Sequence, residues 1–311
     1  MDYVHGAKGS PSYDVAGSQR IIKTGEGGVC SKVPQARRVQ RPVSGHPFAG
    51  ATGISITGVQ TNIALPNLDI TIDAGANVEK VMERNLLVSH FDGDHVEGIG
   101  RAVCNAVNTD QELDIVLPSM DSRPKFREAI KTFTDQDKDG LVALHEVKDG
   151  DSIQLEKDTR VEAFKVPHSP ESIGYIVWKR NWHGKWDQKL TYTGDLDPSS
   201  IELTHPKILE SESLIMEASM PGSILPAFES LVNLFTKHSS SADVQRIARK
   251  SREIKNVGIM HVPSLIPCWD IKNDLKSRFS GTKKHVYLFE SCSTGFFDDP
   301  ELRMAGFARV K

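Results

Sequence analysis

The sequence predicts an α/β fold in which two mixed β-sheets carry helices on their outer faces. Three observations support this class. Short apolar runs and segments of alternating apolar and polar residues recur along the chain, which is typical of strands. Segments with helical periodicity lie between several of them. The first two strands are separated by a short turn, which indicates a hairpin and therefore mixed sheets.

Length and composition are those of an ordinary globular protein. The chain has 311 residues, 38% of them hydrophobic and 25% charged, enough to bury a sizeable core. The net charge is −3 and the pI about 6.4, so contacts with nucleic acid or an anionic membrane have to be local. No run approaches the ~18 apolar residues of a membrane helix, and a secretory pattern is lacking, so we expect a cytoplasmic protein without membrane contact. The four cysteines are too widely spaced for a zinc-type pair or a dense disulfide framework.

Residues 1–48 differ in composition from the rest of the chain. They are rich in Gly, Ser and Pro, and their seven Lys and Arg against three Asp and Glu give a net charge of +4. We expect a loosely ordered basic N-terminal arm, and the alternative is a tail that contacts RNA or a partner. Residues 49–311 are expected to form one domain.

Strand patterns begin at Gly53. The segments GISITGVQTNIAL and LDITIDAG predict a hairpin that turns at Pro66 and Asn67, and NLLVSH predicts a short buried strand. Further strands are predicted at DIVLP, SIQLEKDTRVEAFKV, IGYIVWKR, LTYTGD, SLIMEA, NVGIMHV and HVYLFES. Helices are predicted at residues 124–133, 225–237, 241–253 and 270–278.

Four of the predicted strands lead into residues that can bind a metal. The seven candidates are His90, Asp92, Asp94, His95, His168, Asp195 and His261. One such residue alone is more often structural than functional. Seven of them after four strand ends indicate a shared pocket, because two cations close together require several nitrogen and oxygen donors and a bridging carboxylate.

The ordered motifs resemble the metallo-β-lactamase superfamily and, within it, short-form tRNase Z. The superfamily's H-x-H-x-D-H signature follows a strand, as HFDGDH does here from residue 90. The later segments HSPESIGY, YTGD, LIMEAS, TKHSSSADV and IMHVPS are similar in order to later family motifs. The match extends from about residue 48 to about residue 290. It implies a metallo-β-lactamase domain, an αββα four-layer sandwich, over residues 49–311.

The resemblance also implies a role for each candidate. His90, Asp92 and His168 would hold one divalent ion, Asp94, His95 and His261 the other, and Asp195 would bridge them. The ions would be zinc or manganese, with iron as a further option, and a hydroxide held between them would attack phosphorus.

The implied catalytic residues are Asp94 and the proton-transfer pair Glu217 and His238. An alkoxide leaving group needs a proton, and an imidazole held by a carboxylate can supply it near neutral pH. The other interpretation of His238 is a surface histidine at the start of a Ser-capped helix. Asp73 and Gly75 are expected only to shape the pocket floor.

Three departures from the family pattern affect specificity. Asp92 replaces a family histidine, and its harder oxygen ligand favours manganese or iron over zinc. His168 and Asp195 are only 27 positions apart, which leaves no room for the tRNA-gripping arm of tRNase Z. The basic and aromatic segment Lys179–Trp186 is there instead, either as a clamp for single-stranded RNA or as a plain hairpin tip. After His261 the family's arginine is missing.

A separate segment, DQDKDGLVALHE, fits a twelve-residue calcium loop. Asp135, Asp137 and Asp139 occupy the first ligand positions, Gly140 the turn and Glu146 the twelfth position. A turn and strand pattern follows, whereas a calcium hand requires a second helix. The alternatives are a lone calcium loop and an acidic solvated loop.

The leading functional prediction is a dinuclear metal-dependent phosphodiesterase or nuclease of the tRNase Z type, with RNA or another phosphodiester as substrate. One alternative is a hydrolase of an ester, lactone or thioester on the same scaffold. Another is a catalytically retired member that binds nucleic acid or a partner. Family members often dimerise, so the resemblance also implies a homodimer.

Overall fold

The computed structural model describes residues 47–75, 82–135, 137, 139–168, 171–197, 205–219, 238–262, 268–289 and 308–310. The predicted N-terminal arm lies outside the described residues except for its last two, Pro47 and Phe48, and both are buried. The ring of Phe48 packs edge-on against Tyr287 and Phe289, with centroids 5.1 and 6.0 Å apart. The packed core therefore includes the end of the segment predicted as an arm.

The first sheet has six described strands in chain order. They are β1 (Thr52–Ile56), β2 (Gln60–Leu65), β3 (Ile70–Ile72), β4 (Asn85–Leu87), β5 (Leu113–Pro118) and β6 (Val142–Val147). Antiparallel pairing of β2 with β3 confirms the predicted turn at Pro66 and Asn67. The segment GISITGVQTNIAL, predicted as one strand, is itself a hairpin of β1 and β2 that turns after Ile56. The pairs from β3 to β6 are parallel.

The second sheet has eight described strands. They are β7 (Ser152–Glu156), β8 (Thr159–Lys165), β9 (Ile173–Arg180), β10 (Trp186–Tyr192), β11 (Ser213–Glu217), β12 (Asn256–Met260), β13 (His285–Leu288) and β14 (Ala308–Val310). The pairs from β7 to β10 are antiparallel, and those from β10 to β13 are parallel. The single strand predicted over 152–165 is a hairpin, because the chain turns at Lys157 and Asp158.

Five α-helices are described. They are α1 (Gly93–Val96), α2 (Ile99–Asn108), α3 (Pro124–Thr134), α4 (Ser241–Lys250) and α5 (Cys268–Phe279). The predictions at 124–133, 241–253 and 270–278 are confirmed, with α4 ending earlier, and the one at 225–237 lies outside the described residues. Helix α2 was not predicted, because Gly98 and Gly100 at its start have low helix propensity.

Three buried clusters produce four layers. Side chains of both sheets, such as Ile63 of β2 and Tyr175 of β9, form the central cluster. A second cluster joins the outer face of β11 and β12 to α4 and α5, and a third joins β4 and β5 to α2 and α3. Each fully buried Leu or Ile contributes about 1.5–3 kcal/mol relative to exposure. The predicted αββα sandwich is confirmed.

Of the two alternatives for the calcium-loop segment, the described residues favour the one without calcium. The last part of the segment is strand β6, and Glu146 accepts hydrogen bonds from the amide of Met120 at 2.8 Å and from Arg127 at 2.6 Å. Asp137 accepts a bond from the amide of Val142 at 2.7 Å. Among the described residues, these carboxylates do not belong to a group that could hold a metal ion. Pairing of β6 with β5 therefore directs Glu146 to other partners.

Strands β9 and β10 form a plain hairpin at the Lys179–Trp186 segment. The turn closes with a 2.7 Å bond from the amide of Asn181 to the carbonyl of Lys185. Trp182 at its tip is 88% exposed.

None of the helices in the described part of the chain is long and apolar enough to cross a membrane.

Candidate metal centre

The loop after β4 carries four of the predicted ligands. His90 and His95 are fully buried, whereas Asp92 is exposed and occupies the position before α1 without a side-chain hydrogen bond to the helix. Because the chain turns into α1 between Asp92 and Asp94, the first pair of side chains and the second pair meet different neighbours. One short loop thereby serves two groups of ligands.

The other three candidates follow strands of the second sheet. His168 comes three residues after β8, Asp195 three residues after β10, and His261 directly after β12. These three strands run in the same direction, so their carboxyl ends meet at one edge of the sheet. That edge faces the loop after β4, where the side chains converge.

The first group contains His90, Asp92 and His168. Their potential ligand atoms all lie within 4.8 Å of one another. Nε2 of His90 is 3.5 Å from Oδ2 of Asp92, and the rings of His90 and His168 have centroids 5.4 Å apart. The three donors therefore surround one point.

The second group contains Asp94, His95 and His261, also within 4.8 Å of one another. Oδ2 of Asp94 is 3.1 Å from Nε2 of His261 and 3.6 Å from Nε2 of His95. The two Nε2 atoms are 3.5 Å apart. This geometry directs both imidazoles and the carboxylate at a second point.

Asp195 lies between the two groups. Its Oδ2 is 3.9 Å from Nε2 of His90, 3.7 Å from Nε2 of His95 and 3.3 Å from Nε2 of His261. The structure thus brings all seven predicted ligands together, with one carboxylate shared between the two groups.

Buried polar atoms in this cluster lack hydrogen-bond partners within the described part of the chain. They are Nε2 of His90, Nδ1 of His168 and Oδ1 of Asp195. An unsatisfied buried polar atom costs about 1–3 kcal/mol, so three together need compensation. Imidazole nitrogens and carboxylate oxygens are the donors used by zinc, manganese and iron. The residues present therefore fit divalent cations.

Asp73 bonds to the ring nitrogen of His95 that does not face the other ligands. Sequence analysis assigned Asp73 only to the pocket floor. Nδ1 of His95 is 2.7 Å from Oδ2 of Asp73. The same buried carboxylate accepts bonds from the amide of Ser89 at 2.7 Å and from the hydroxyl of Tyr192. Such partners fix the tautomer and orientation of a metal-binding imidazole. Tyr192 and Ser89 were missed because their sequence neighbours resemble ordinary strand residues.

His261 has an unusual backbone conformation, with φ at +60°. This left-handed region costs a non-glycine residue about 1–3 kcal/mol. The first sheet stabilises it, because the amide of His261 donates to Oγ of Ser55 at 2.8 Å and its carbonyl accepts from Oγ1 of Thr57 at 2.6 Å. These two bonds hold the backbone in the conformation that places the imidazole beside Asp94 and His95.

Glu217 and His238 form a pair beside the ligands. Oε1 of the fully buried Glu217 accepts bonds from the amides of Leu196 at 2.6 Å and Ser239 at 3.1 Å. Its Oε2 is 2.7 Å from Nδ1 of His238. That nitrogen is 3.9 Å from Oδ2 of Asp195, so the pair adjoins the ligand cluster.

The pair favours its charged form. Burial disfavours a charged Glu217, but hydrogen bonds from His238 and His261 outweigh burial and lower the pKa of the carboxyl. Burial also disfavours a charged His238, but the bond to Glu217 and its negative charge raise the pKa of this imidazole. The proton therefore resides on His238.

Ser219 connects this pair to the second group. Its hydroxyl is 2.9 Å from Oε2 of Glu217 and 3.4 Å from Nδ1 of His261. It can donate to the carboxylate while accepting from the imidazole, which leaves Nε2 of His261 unprotonated and able to bind a metal.

Comparison with known proteins gives the following matches. No family model matches the chain. Arabidopsis thaliana tRNase Z TRZ1 is 28% identical over 174 residues, covering 52% of this chain and 59% of that protein. Nuclear ribonuclease Z of Triticum aestivum is 28% identical over 143 residues, covering 44% of this chain and 77% of that protein. The chain thus spans about three fifths of the Arabidopsis relative.

Two solved structures are similar in fold. The Bacillus subtilis metallo-β-lactamase fold protein YhfI has a TM-score of 0.53 and 16% identity, covering 78% of this chain and 95% of that one. Human short-form tRNase Z (ELAC1) has a TM-score of 0.50 and 17% identity, covering 69% and 92%. The chain is a protein of the metallo-β-lactamase fold. Within that fold its sequence is similar to Arabidopsis tRNase Z TRZ1 and wheat nuclear ribonuclease Z, in line with the resemblance that the motifs show.

Proposed function

We propose that the chain is a metal-dependent hydrolase that cleaves phosphodiester bonds, and that RNA is its substrate. The observation that carries the proposal is the pair of ligand groups sharing Asp195, with the Glu217–His238 pair beside them. The names of the Arabidopsis and wheat relatives, tRNase Z and nuclear ribonuclease Z, favour RNA among phosphodiesters.

The two groups would each hold one divalent cation. His90, Asp92 and His168 would bind the first ion, Asp94, His95 and His261 the second, and Asp195 both. Bound cations would supply Lewis-acid activation of water and of the phosphodiester. Because Asp92 adds a hard oxygen donor to the first group, we expect manganese or iron to compete well with zinc there.

His238 would deliver a proton to the leaving oxygen. Glu217 holds Nδ1 of this imidazole at 2.7 Å, which leaves Nε2 to face a substrate. Two backbone amides fix the carboxylate, so the imidazole is oriented before substrate binds. A positioned acid of this kind contributes about 10²–10⁴-fold to rate.

Two observations favour this function over its alternatives. Hydrolysis of a carbonyl ester, lactone or thioester would gain support from a Glu217–His238 pair far from the ligands, but Nδ1 of His238 is 3.9 Å from Oδ2 of Asp195. A retired binding protein would gain support from a displaced Asp92, but Asp92 joins His90 and His168 in one group.

The test is hydrolysis of bis(p-nitrophenyl) phosphate by protein stripped of metal and resupplied with zinc or manganese. We expect turnover that depends on the added ion and is absent from Asp195→Ala. p-Nitrophenyl acetate serves as the carbonyl-ester comparison. Metal-dependent turnover of the acetate alone would establish the ester alternative. Absence of all turnover in folded, metal-loaded protein would leave the retired alternative. RNA with a 3′ extension is the next substrate.

A further inference from the structure

Positive charge is concentrated in the last third of the chain. Residues 239–289 contain ten Lys and Arg and four Asp and Glu, a net charge of +6. The whole chain carries −3, so the rest of the sequence carries −9. An asymmetry of this size within one protein indicates a local anion-binding surface.

Hydrogen bonds bring the charges of this region together at the carboxyl ends of α4 and α5. Arg249 of α4 donates to the carbonyl of Arg278 of α5 at 2.9 Å. Lys284, after α5, donates to the carbonyls of Ser251 and Ile254 at 2.8 and 2.6 Å, just beyond α4. We define the basic surface as Arg249, Lys250, Arg252, Lys255, Lys276, Arg278, Lys283 and Lys284.

Helix stability explains only part of this surface. Cations near helix carboxyl ends offset the helix dipole, and Arg249 and Lys284 bond to backbone carbonyls there. Arg278 pairs with Asp274 at 2.8 Å. The side chains of the five remaining members, Lys250, Arg252, Lys255, Lys276 and Lys283, are exposed. Within residues 246–255 and 276–285 the sequence has a single acidic residue, Glu253.

The chemistry of the surface favours a phosphate backbone over a protein partner. Among the described residues, the exposed large hydrophobic side chains are Val59, Phe133 and Trp182, and none lies on this surface. Protein interfaces depend on buried aromatic and aliphatic anchors. Phosphate binding depends on Lys and Arg and needs no apolar anchor.

The basic surface lies at the opposite end of α4 and β12 from the candidate metal centre. Helix α4 begins three residues after His238 and carries Arg249 and Lys250 at its other end. Strand β12 then returns from Lys255 to His261. Six residue steps of strand span about 20 Å, which equals about six phosphates along one strand of a duplex.

We infer that the basic surface binds the phosphate backbone of an RNA whose reacting end occupies the metal centre. The inference rests on the proposed function for its choice of ligand. The basic surface adds affinity only for an RNA long enough to reach it. Substitutions on the surface therefore leave the hydrolysis of a small phosphodiester unchanged.

The test compares two charge-reversal variants of the full chain. Arg252→Glu/Lys276→Glu alters the basic surface, and Lys125→Glu/Lys131→Glu makes the same charge change on exposed residues of α3. Binding of a fluorescent 12-base-pair RNA hairpin with a 3′ extension is measured by anisotropy on metal-free protein at several KCl concentrations. We expect the first variant to bind at least about tenfold more weakly, with the salt slope reduced by about 2. The α3 variant should bind as the unmodified chain does.

Hydrolysis of bis(p-nitrophenyl) phosphate by the metal-loaded proteins separates the two proposals. We expect both variants to hydrolyse it at the unmodified rate. Equal RNA binding by both variants, or equal weakening, would overturn the basic surface as an RNA site. Variant-dependent binding of polyglutamate without such binding of RNA would also overturn it, in favour of an acidic protein partner. Absence of phosphodiester turnover in the unmodified chain would overturn the proposed function alone, because the binding measurement needs no catalysis.

Discussion

Glu217 and His261 lie at the carboxyl ends of the neighbouring strands β11 and β12, and Oε2 of Glu217 is 3.5 Å from Nδ1 of His261. The same oxygen is 2.7 Å from Nδ1 of His238. One carboxylate therefore contacts both the proposed proton donor and a proposed metal ligand. A substitution that alters the contact of Glu217 with His261 is therefore expected to alter its contact with His238 as well.

His238→Ala tests the proton donor. We expect it to slow RNA cleavage by about 10²-fold or more, because the leaving alkoxide then lacks an acid. The effect on bis(p-nitrophenyl) phosphate should be much smaller, since p-nitrophenolate leaves without a proton. Rates are measured with both substrates and metal content by elemental analysis. Unchanged RNA cleavage, or loss of the metals, would remove His238 from this role.

Asp92→His tests the first ligand group. Replacing a hard oxygen by a borderline nitrogen should raise zinc affinity relative to manganese. The ratio of the two affinities, measured by chelator competition, should move by about tenfold or more, and Asp92→Asn provides the control of similar size. An unchanged ratio in metal-binding protein would show that Asp92 does not contact an ion.

Tyr192→Phe tests the support of His95. Loss of the hydroxyl leaves the buried Asp73 carboxylate short of one donor, so we expect metal affinity to fall about 10–100-fold. Tyr175→Phe is the matched control, because its buried hydroxyl donates to the carbonyl of Val88 at 2.6 Å. Both variants should lower the free energy of unfolding by about 1–3 kcal/mol. Equal metal affinities in the two variants would contradict the predicted role of Tyr192.

Ser219→Ala tests the connection between Glu217 and His261. Without the hydroxyl, Nδ1 of His261 keeps only its 3.5 Å contact with Oε2 of Glu217, so the two imidazoles compete more directly for that oxygen and His238 is held less firmly. We expect slower RNA cleavage together with weaker metal binding, and recovery of both in Ser219→Thr. Chelator titration and cleavage rates are measured on the three proteins. An alanine variant that behaves like the unmodified chain would refute the connection.

Metal loading is expected to release a proton from His95 at pH values below about 9. Burial disfavours a charged His95, but Asp195 and Asp73 outweigh burial and raise its pKa to about 9 in the metal-free protein. A metal binds the neutral imidazole, so this proton leaves on binding, and affinity rises with pH up to about 9. Calorimetry in buffers of different ionisation enthalpy measures the release. A binding enthalpy independent of buffer at pH 7.5 would contradict it.

Sequence analysis named the seven side chains that the structure places in one cluster, because the signals for them are local. His90, Asp92, Asp94 and His95 lie within six positions, and His168, Asp195 and His261 each follow a strand with a clear pattern. The strand patterns alone do not specify which strands run parallel. The order of the motifs, which resembles the metallo-β-lactamase superfamily, implied that these side chains share one site.

The supporting residues could not be predicted in the same way. Tyr192 and Asp73 are 119 positions apart, and their contact depends on how the two sheets face each other. The acidic calcium-loop segment has the right spacing, but spacing could not show that Glu146 lies in β6 and bonds to Met120 and Arg127. Helix α2 was missed although Ile99, Ala102, Val103 and Ala106 are buried at helical spacing.

The hold of the first sheet on His261 joins segments 206 positions apart in the chain. Ile56 and Val262 also form a bridge there, and the amide of Thr57 donates to the carbonyl of Val262 at 3.3 Å. The second ligand group is thus complete only after both sheets have docked. Binding of an ion by the second group would then report that the two sheets have packed against each other in that molecule.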